Sequence, residues 1–115
     1  MSEKLSNYEM MVIMKPLLPD DIRNKVHKSI TDLVEGFGGK VVDVDVWGKR
    51  YLAYKIKQHS EGYYVVYLFT LPKEHVAELE RKLKLNSEVI RHLIAKVTNI
   101  DERIRKIKKK EINLS

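Results

Sequence analysis

The sequence contains no cysteine. A disulfide framework, a thiolate metal site and a thiol nucleophile are all excluded, and the absence fits a reducing compartment. Long apolar runs are missing too. The stretch MMVIM at 10–14 is far too short to span a bilayer, so no membrane partner is expected. The first residues, MSEKLSNYE, are polar and slightly acidic where a secretory leader would be basic and then apolar, so no leader is expected. Proline is scarce, at three residues, and each one punctuates the chain. Acidic residues are in deficit, 16 against 22 Lys and Arg, which leaves a net charge of +6. A basic domain of this kind most often meets an anionic polymer, with RNA or DNA first in line. The length of 115 residues allows one domain, and a hydrophobic fraction of 43% supports a core without staples.

What is present is a clear alternation of periods. Asn7 to Lys15 mixes apolar and aromatic residues over a strand length, and Pro16 ends it because it cannot donate to a ladder. Pro19 suits the first turn of a helix and Asp20 and Asp21 its positive end. Ile22, Val26, Ile30, Leu33, Val34 and Phe37 follow at helical spacing, and the glycines at 36, 38 and 39 stop the helix. The period then changes to two. A single long strand over about 40–57 is expected to put its even residues, Leu52, Tyr54 and Ile56 among them, on the core. Gly48 marks a bulge or bend in it, and a bulge shifts the faces beyond. KQHSEG reads as a hairpin loop ending at Gly62. Tyr63 to Leu71 is apolar on both faces, as in a central strand, and invites a protein neighbour. Pro72 stops this strand and opens a second helix with Val76, Leu79 and Leu83 on its buried stripe; NSEVIRHLIAKV from Asn86 is the last strand. The order β-α-β-β-α-β predicts an α+β fold, the ferredoxin-like two-layer sandwich with two helices on one face of a four-stranded antiparallel sheet.

No catalytic constellation stands out. His27, His59, His75 and His92 are scattered, without partners at metal-ligand spacing. GFGGK at 36–40 follows a helix and matches no phosphate loop, and the two aspartates of KPLLPDD would repel an anion there. No enzyme activity, cofactor, metal or small-molecule substrate is expected. Nucleic-acid signals are stronger. Lys49, Arg50, Lys55 and Lys57 share a strand with Trp47, Tyr51 and Tyr54, which would combine phosphate contacts with aromatic faces. The third-strand signature of the RNA recognition motif is matched in EGYYVVYL only at Gly62, Tyr63 and Val66. A stand-alone single-stranded RNA-binding or protein-interaction module of that topology is therefore the alternative reading.

Tyr8-Glu9 opens the first strand and Pro16 closes it. Trp47-Gly48-Lys49-Arg50-x-Leu52-Ala53-Tyr54-x-Ile56 follows, then Gly62-Tyr63, and Arg91 in the last strand. Together these resemble the bacterial small-subunit ribosomal protein six family over residues 7–97. The resemblance implies a ferredoxin-like structural constituent of the cytoplasmic small ribosomal subunit. It would bind the central domain of the small-subunit ribosomal RNA as a heterodimer with small-subunit ribosomal protein eighteen. It further implies that Leu52, Tyr54 and Ile56 hold the core, while Trp47, Lys49 and Arg50 near the bend face partner or RNA. Arg91 and Lys96 become the expected RNA contacts, with Lys4 beside them if the first strand neighbours the last. Residues 98–115 form a separate basic tail with six basic and three acidic residues, so 6 − 3 = 3 of the net +6 lies there. Its Ile100, Ile104 and Ile107 are spaced for one helical stripe, and the tail is expected to be mobile alone and ordered in the assembly.

Overall fold

The structure, a computed structural model, describes residues 4–98. The tail expected to begin at 98 lies outside the described residues from position 99 onward. Six principal elements follow the expected order: β1 (Leu5–Met14), α1 (Asp20–Gly36), β2 (Lys40–Ile56), β3 (His59–Pro72), α2 (Val76–Lys84) and β4 (Val89–Lys96). The strands form one antiparallel sheet in the order β2-β3-β1-β4. β1 and β4 are thus neighbours, and β3 is central.

The helices cover one face. The alternation of β1 directs Tyr8, Met10, Val12 and Met14 towards them, and that of β3 directs Val65, Tyr67, Phe69 and Leu71. Val26, Ile30 and Val34 of α1 and Leu79 and Leu83 of α2 close this core. α1 starts with the Ile22 and Arg23 N–H groups donating to the Pro19 carbonyl, and Asp20 and Asp21 occupy its first turn. It stops with the Gly39 N–H returning to the Val34 carbonyl at 2.9 Å.

β2 departs from the expectation of one uninterrupted alternation. Its register against β3 shifts at Val42 and again at Trp47, where Val46 pairs with Val65 and Gly48 already with Tyr64. Gly48 takes φ +81, the left-handed conformation that a bulge requires and a side chain resists. Between the first two shifts the even residues Val44 and Val46 face the helices; from Gly48 the even residues face away, until a third shift between Tyr51 and Ile56 pairs Ile56 with His59. Leu52 consequently packs near Gly62 and Ile13 on the far face of the sheet, half-buried, and Tyr54 is 64% exposed. The expected core role of Leu52 and Tyr54 is corrected accordingly: a one-residue insertion moves the side chains that follow it to the other face. Ile56, beyond the third shift, is half-buried and not among the residues of the core cluster.

The hairpin loop is also shorter than KQHSEG. Only Lys57 and Gln58 turn, both at positive φ (49° and 72°), which matches a two-residue turn of the kind that follows strand twist. Gly62 lies inside β3 instead of ending a loop. A Cβ there would stand 2.3 Å from Cγ2 of Ile13, so the close passage of β1 requires glycine. With 17 residues in β2 and 14 in β3 against ten in β1 and eight in β4, the hairpin overhangs the rest of the sheet.

Candidate nucleic-acid interface

The overhang brings cations from separate elements together. It curls across the end of β1 until the Tyr54 hydroxyl accepts a hydrogen bond from Nη1 of Arg91 on β4, at 3.1 Å. The same curl carries Lys57, at the turn, to a cleft of about 480 Å³. That cleft is lined by Lys57, Glu80, Lys84, Ile90, Arg91 and His92. Three elements therefore contribute one cation each: the hairpin turn, the last turn of α2 and the start of β4. One carboxylate, Glu80, opposes them. The arrangement suits a phosphodiester. Lys57 and Lys84 offer ammonium charge, and Arg91 retains donors beyond the one used by Tyr54. Lys84 at the helix C-terminus also faces the negative end of the α2 dipole, which favours a cation there.

His92 forms the inner wall. Its side chain is only 12% exposed, and Nε2 stands 4.0 Å from Oε1 of Glu80. Burial holds its imidazole below the ordinary histidine range; Glu80 pulls the other way and Lys84 adds to the lowering. At neutral pH the imidazole adds no positive charge to the cleft, so its cationic character comes from the two lysines and the arginine.

The residues expected from sequence to contact RNA do not share this place. Arg91 pairs with Ile13 and faces away from the helices. Lys96 pairs with Tyr8 five positions further on, about 16 Å along the strand and on the opposite face. Lys4 precedes Leu5, whose partner is Pro72, and so lies at the Lys96 end. Lys96 and Lys4 thus mark one end of the sheet and Arg91 the other. Lys84, which sequence reasoning did not single out, and Lys57, read there only as one of the cations of the second strand, are what Arg91 joins. The excess length of the β2–β3 hairpin was the available signal for Lys57.

Trp47, Lys49 and Arg50 are likewise divided. Trp47 sits in the bulge and packs on the far face against Val66, Leu68 and Met11. Its ring lies parallel to that of Tyr64 (centroids 6.3 Å apart, 3° between planes), and its indole N–H donates to Oδ2 of Asp45 at 2.5 Å. Lys49 lies across from Tyr63 with its Nζ 3.7 Å from the Glu61 carboxylate. Arg50 is exposed opposite Gly62. Tyr64, an aromatic on the sheet face away from the helices, already stacks on Trp47.

A second cavity, of about 370 Å³, opens between α1 and β2, with Arg23, His27, Tyr63 and Tyr67 in its wall. Arg23 lies over the Tyr63 ring at 4.4 Å, and the His27 ring pairs with the Tyr67 hydroxyl through Nδ1 at 3.1 Å. Burial pushes the Tyr67 phenol well above its usual range, so it stays protonated. Its role is to hold α1 on the sheet.

Comparison with known proteins agrees with this architecture. The family described as Ribosomal protein S6 matches residues 7–96. The small ribosomal subunit protein bS6 of Dictyoglomus turgidum is 40% identical over 90 residues, 78% of this chain and 93% of its own. That of Moorella thermoacetica is 38% identical over 93 residues, covering 81% of this chain and 95% of its own. Among solved structures, the 30S ribosomal protein S6 of Thermotoga maritima superposes with a TM-score of 0.78 at 29% identity, over 91% of this chain and 99% of that one. The chain belongs to the ribosomal protein S6 family.

Proposed function

We propose that this chain is a structural component of the small ribosomal subunit in the cytoplasm, with no catalytic role. It binds the central domain of the small-subunit ribosomal RNA and does so together with small-subunit ribosomal protein eighteen. The family supports the ribosomal context. The observation that carries the RNA reading is the convergence of Lys57, Lys84 and Arg91 on one cleft from three elements. Cations brought together from distant parts of a chain repel one another, and a phosphate between them removes that repulsion. Lys96 and Lys4 provide a second basic region at the opposite end of the sheet, so the RNA path runs along the β4 edge. The bend at Lys49 and Arg50, on the β2 edge, is the surface left for the partner protein.

A stand-alone module that stacks single-stranded RNA on the sheet has less support, because Trp47 and Tyr64 are committed to each other. The test is titration of a central-domain RNA fragment at several salt concentrations with the partner protein present. Arg91→Ala, Lys57→Ala and Lys84→Ala are each expected to weaken binding and to lower the salt slope by about one phosphate contact. A triple variant that binds with the affinity and slope of the parent would overturn the cleft as the RNA site.

A further inference from the structure

The cleft at the start of β4 is lined by one carboxylate, and a histidine in its wall faces that carboxylate. Nε2 of His92 stands 4.0 Å from Oε1 of Glu80, just beyond hydrogen-bond distance, with the His92 side chain largely buried. Among the described residues the ring makes no hydrogen bond. Adding a proton makes both ring nitrogens donors, and a small side-chain rotation would then join Nε2 to the carboxylate. Every element packed around the ring bears on that proton. α2 presents Glu80, which favours it, and Lys84, which opposes it; burial opposes it most. The hairpin turn brings Lys57 to the same cleft. Arg91 precedes His92 on β4 and points to the other face, where Tyr54 accepts from it. β1 presents the uncharged Val12 across from His92. Lys15 and Glu88, 3.8 Å apart, lie where β4 begins and offset each other. In the free chain burial and Lys84 outweigh Glu80, so the ring is neutral at neutral pH.

A phosphate changes this balance. Seated among Lys57, Lys84 and Arg91, it offsets the repulsion that Lys84 exerts on an imidazolium and adds an attraction of its own. It is also repelled by the Glu80 carboxylate, and a proton on His92 neutralises that one opposing charge. Anion and proton therefore each strengthen the binding of the other, and the coupling is the same in both directions.

We propose, on the reading that this cleft is the RNA site, that His92 takes up a proton and closes on Glu80 when a phosphodiester enters. His92 is a positioning residue: it acts through Glu80 and touches no phosphate. RNA affinity then rises as pH falls through the range in which the free ring is neutral and the bound ring protonated. One proton permits at most about a tenfold rise per pH unit. The profile levels off once the ring is protonated in the free chain as well.

The experiment is calorimetric titration of the central-domain RNA fragment, with the partner protein present, at fixed salt and between about pH 8 and about pH 6, where histidine charge changes. Each titration is run in buffers of low and high ionisation enthalpy, so that the difference in heat counts the protons taken up. Four full-length chains are compared: the parent, His92→Gln, Glu80→Gln and Lys57→Ala/Lys84→Ala/Arg91→Ala. The parent should bind severalfold more tightly at the acid end and take up as much as one proton more per complex than His92→Gln, whose profile should be flatter. Glu80→Gln should bind more tightly than the parent at neutral pH, where no carboxylate opposes the phosphate, and take up fewer protons. A His92 that merely packs would change affinity without changing the proton count. The triple variant tells two failures apart. If it binds as the parent does, the cleft is not the RNA site and both readings fall. If it binds weakly while His92→Gln keeps the parent's proton uptake, the cleft stands and the role of His92 alone is overturned. Should His92→Gln fail to fold by circular dichroism, Glu80→Gln decides: affinity and proton uptake equal to the parent's overturn the proposal.

Discussion

The Arg91 guanidinium and the Tyr54 hydroxyl meet at 3.1 Å although 37 positions separate them in sequence. This bond ties the free end of the β2–β3 hairpin to the outer strand of the sheet, and it aims the arginine into the basic cleft. The groups are exposed, so Tyr54→Phe should cost about 1 kcal/mol of stability or less. Its larger effect should fall on RNA. With Arg91 no longer held, affinity for the central-domain fragment should drop, but by less than in Arg91→Ala, and the salt slope should be unchanged because no charge is lost. Parallel titrations of the two variants measure the difference. Equal losses and equal slopes would mean that Tyr54 itself contacts RNA.

The bulge at Trp47 sets a contrast between two leucines. Leu79 of α2 is fully buried in the helix-side core, and Leu79→Ala should cost about 2–5 kcal/mol. Leu52 is half-buried on the far face beyond the bulge. Leu52→Ala should cost roughly 1 kcal/mol, in the ordinary range for partly exposed sites. Urea denaturation of both settles the register. A Leu52→Ala loss as large as that of Leu79→Ala would return Leu52 to the core that its even position in β2 suggests.

That reversal shows which parts of the fold were legible in sequence. The first helix was, because Val26, Ile30 and Val34 repeat at a period that only one conformation satisfies, with Pro19 before it and glycines at its end; the second was legible from Val76, Leu79 and Leu83 after Pro72. The central placement of β3 was legible from its two apolar faces. The faces of β2 beyond Gly48 were not. Alternation states which residues share a face, but an inserted residue changes the face without changing the composition. The cleft was half legible: Arg91 could be named, but its neighbours Lys57 and Lys84 come from a hairpin turn and a helix end. Their meeting depends on the curl of the overhang, which no local pattern encodes. Trp47 was harder still, since the same bulge that exposes a residue in one fold tucks it over Val66 and Leu68 in this one.

Two glycines are required for different reasons, and substitution separates them. Gly48 has φ +81 with open space, nothing within 4 Å, where a side-chain methyl would stand, so the penalty for Gly48→Ala is backbone strain of about 1–2 kcal/mol. Asparagine tolerates this conformation better, so Gly48→Asn should recover part of the loss. A Cβ at Gly62 would meet Cγ2 of Ile13 at 2.3 Å. Gly62→Ala should cost about 1–3 kcal/mol through overpacking, and Gly62→Asn more, because the side chain is larger. Thermal melts of the four variants check the opposite order of Ala and Asn at the two sites.

His92 gives stability a pH dependence with a defined sign. Burial lowers its affinity for a proton in the folded chain relative to the unfolded one, where the value is near 6.5. The folded state therefore binds fewer protons as pH falls through that value. Stability contributed by the neutral imidazole is fully present above about 6.5 and declines as pH drops from there towards the lower folded value. Lys84 beside it resists the added charge, while Glu80 favours it. His92→Gln should flatten the acid side of the stability profile between neutrality and the onset of carboxylate titration. Urea midpoints at a series of pH values test it, and a variant that keeps the full slope would move the effect to another group.

The last prediction concerns how RNA and partner act on each other. The described domain offers a few phosphate contacts at two ends of the β4 edge, and a few contacts scarcely offset the cost of association. Alone, the chain should bind the central-domain RNA weakly. A partner seated at the β2 bend, as proposed, would add its own contacts to the same RNA and leave the cleft of Lys57, Lys84 and Arg91 free to act. If the pair binds RNA more tightly than this chain by some factor, RNA must tighten the protein pair by that same factor, because both routes connect the same free and fully bound states. Lys49→Glu/Arg50→Glu should weaken pairing and lose the coupling. Arg91→Ala should leave pairing of the free proteins intact while weakening RNA binding by the pair. Calorimetric titrations around all four sides of this cycle measure the two factors independently. Tight RNA binding by the isolated chain, equal to that of the pair, would remove the partner from the assembly step.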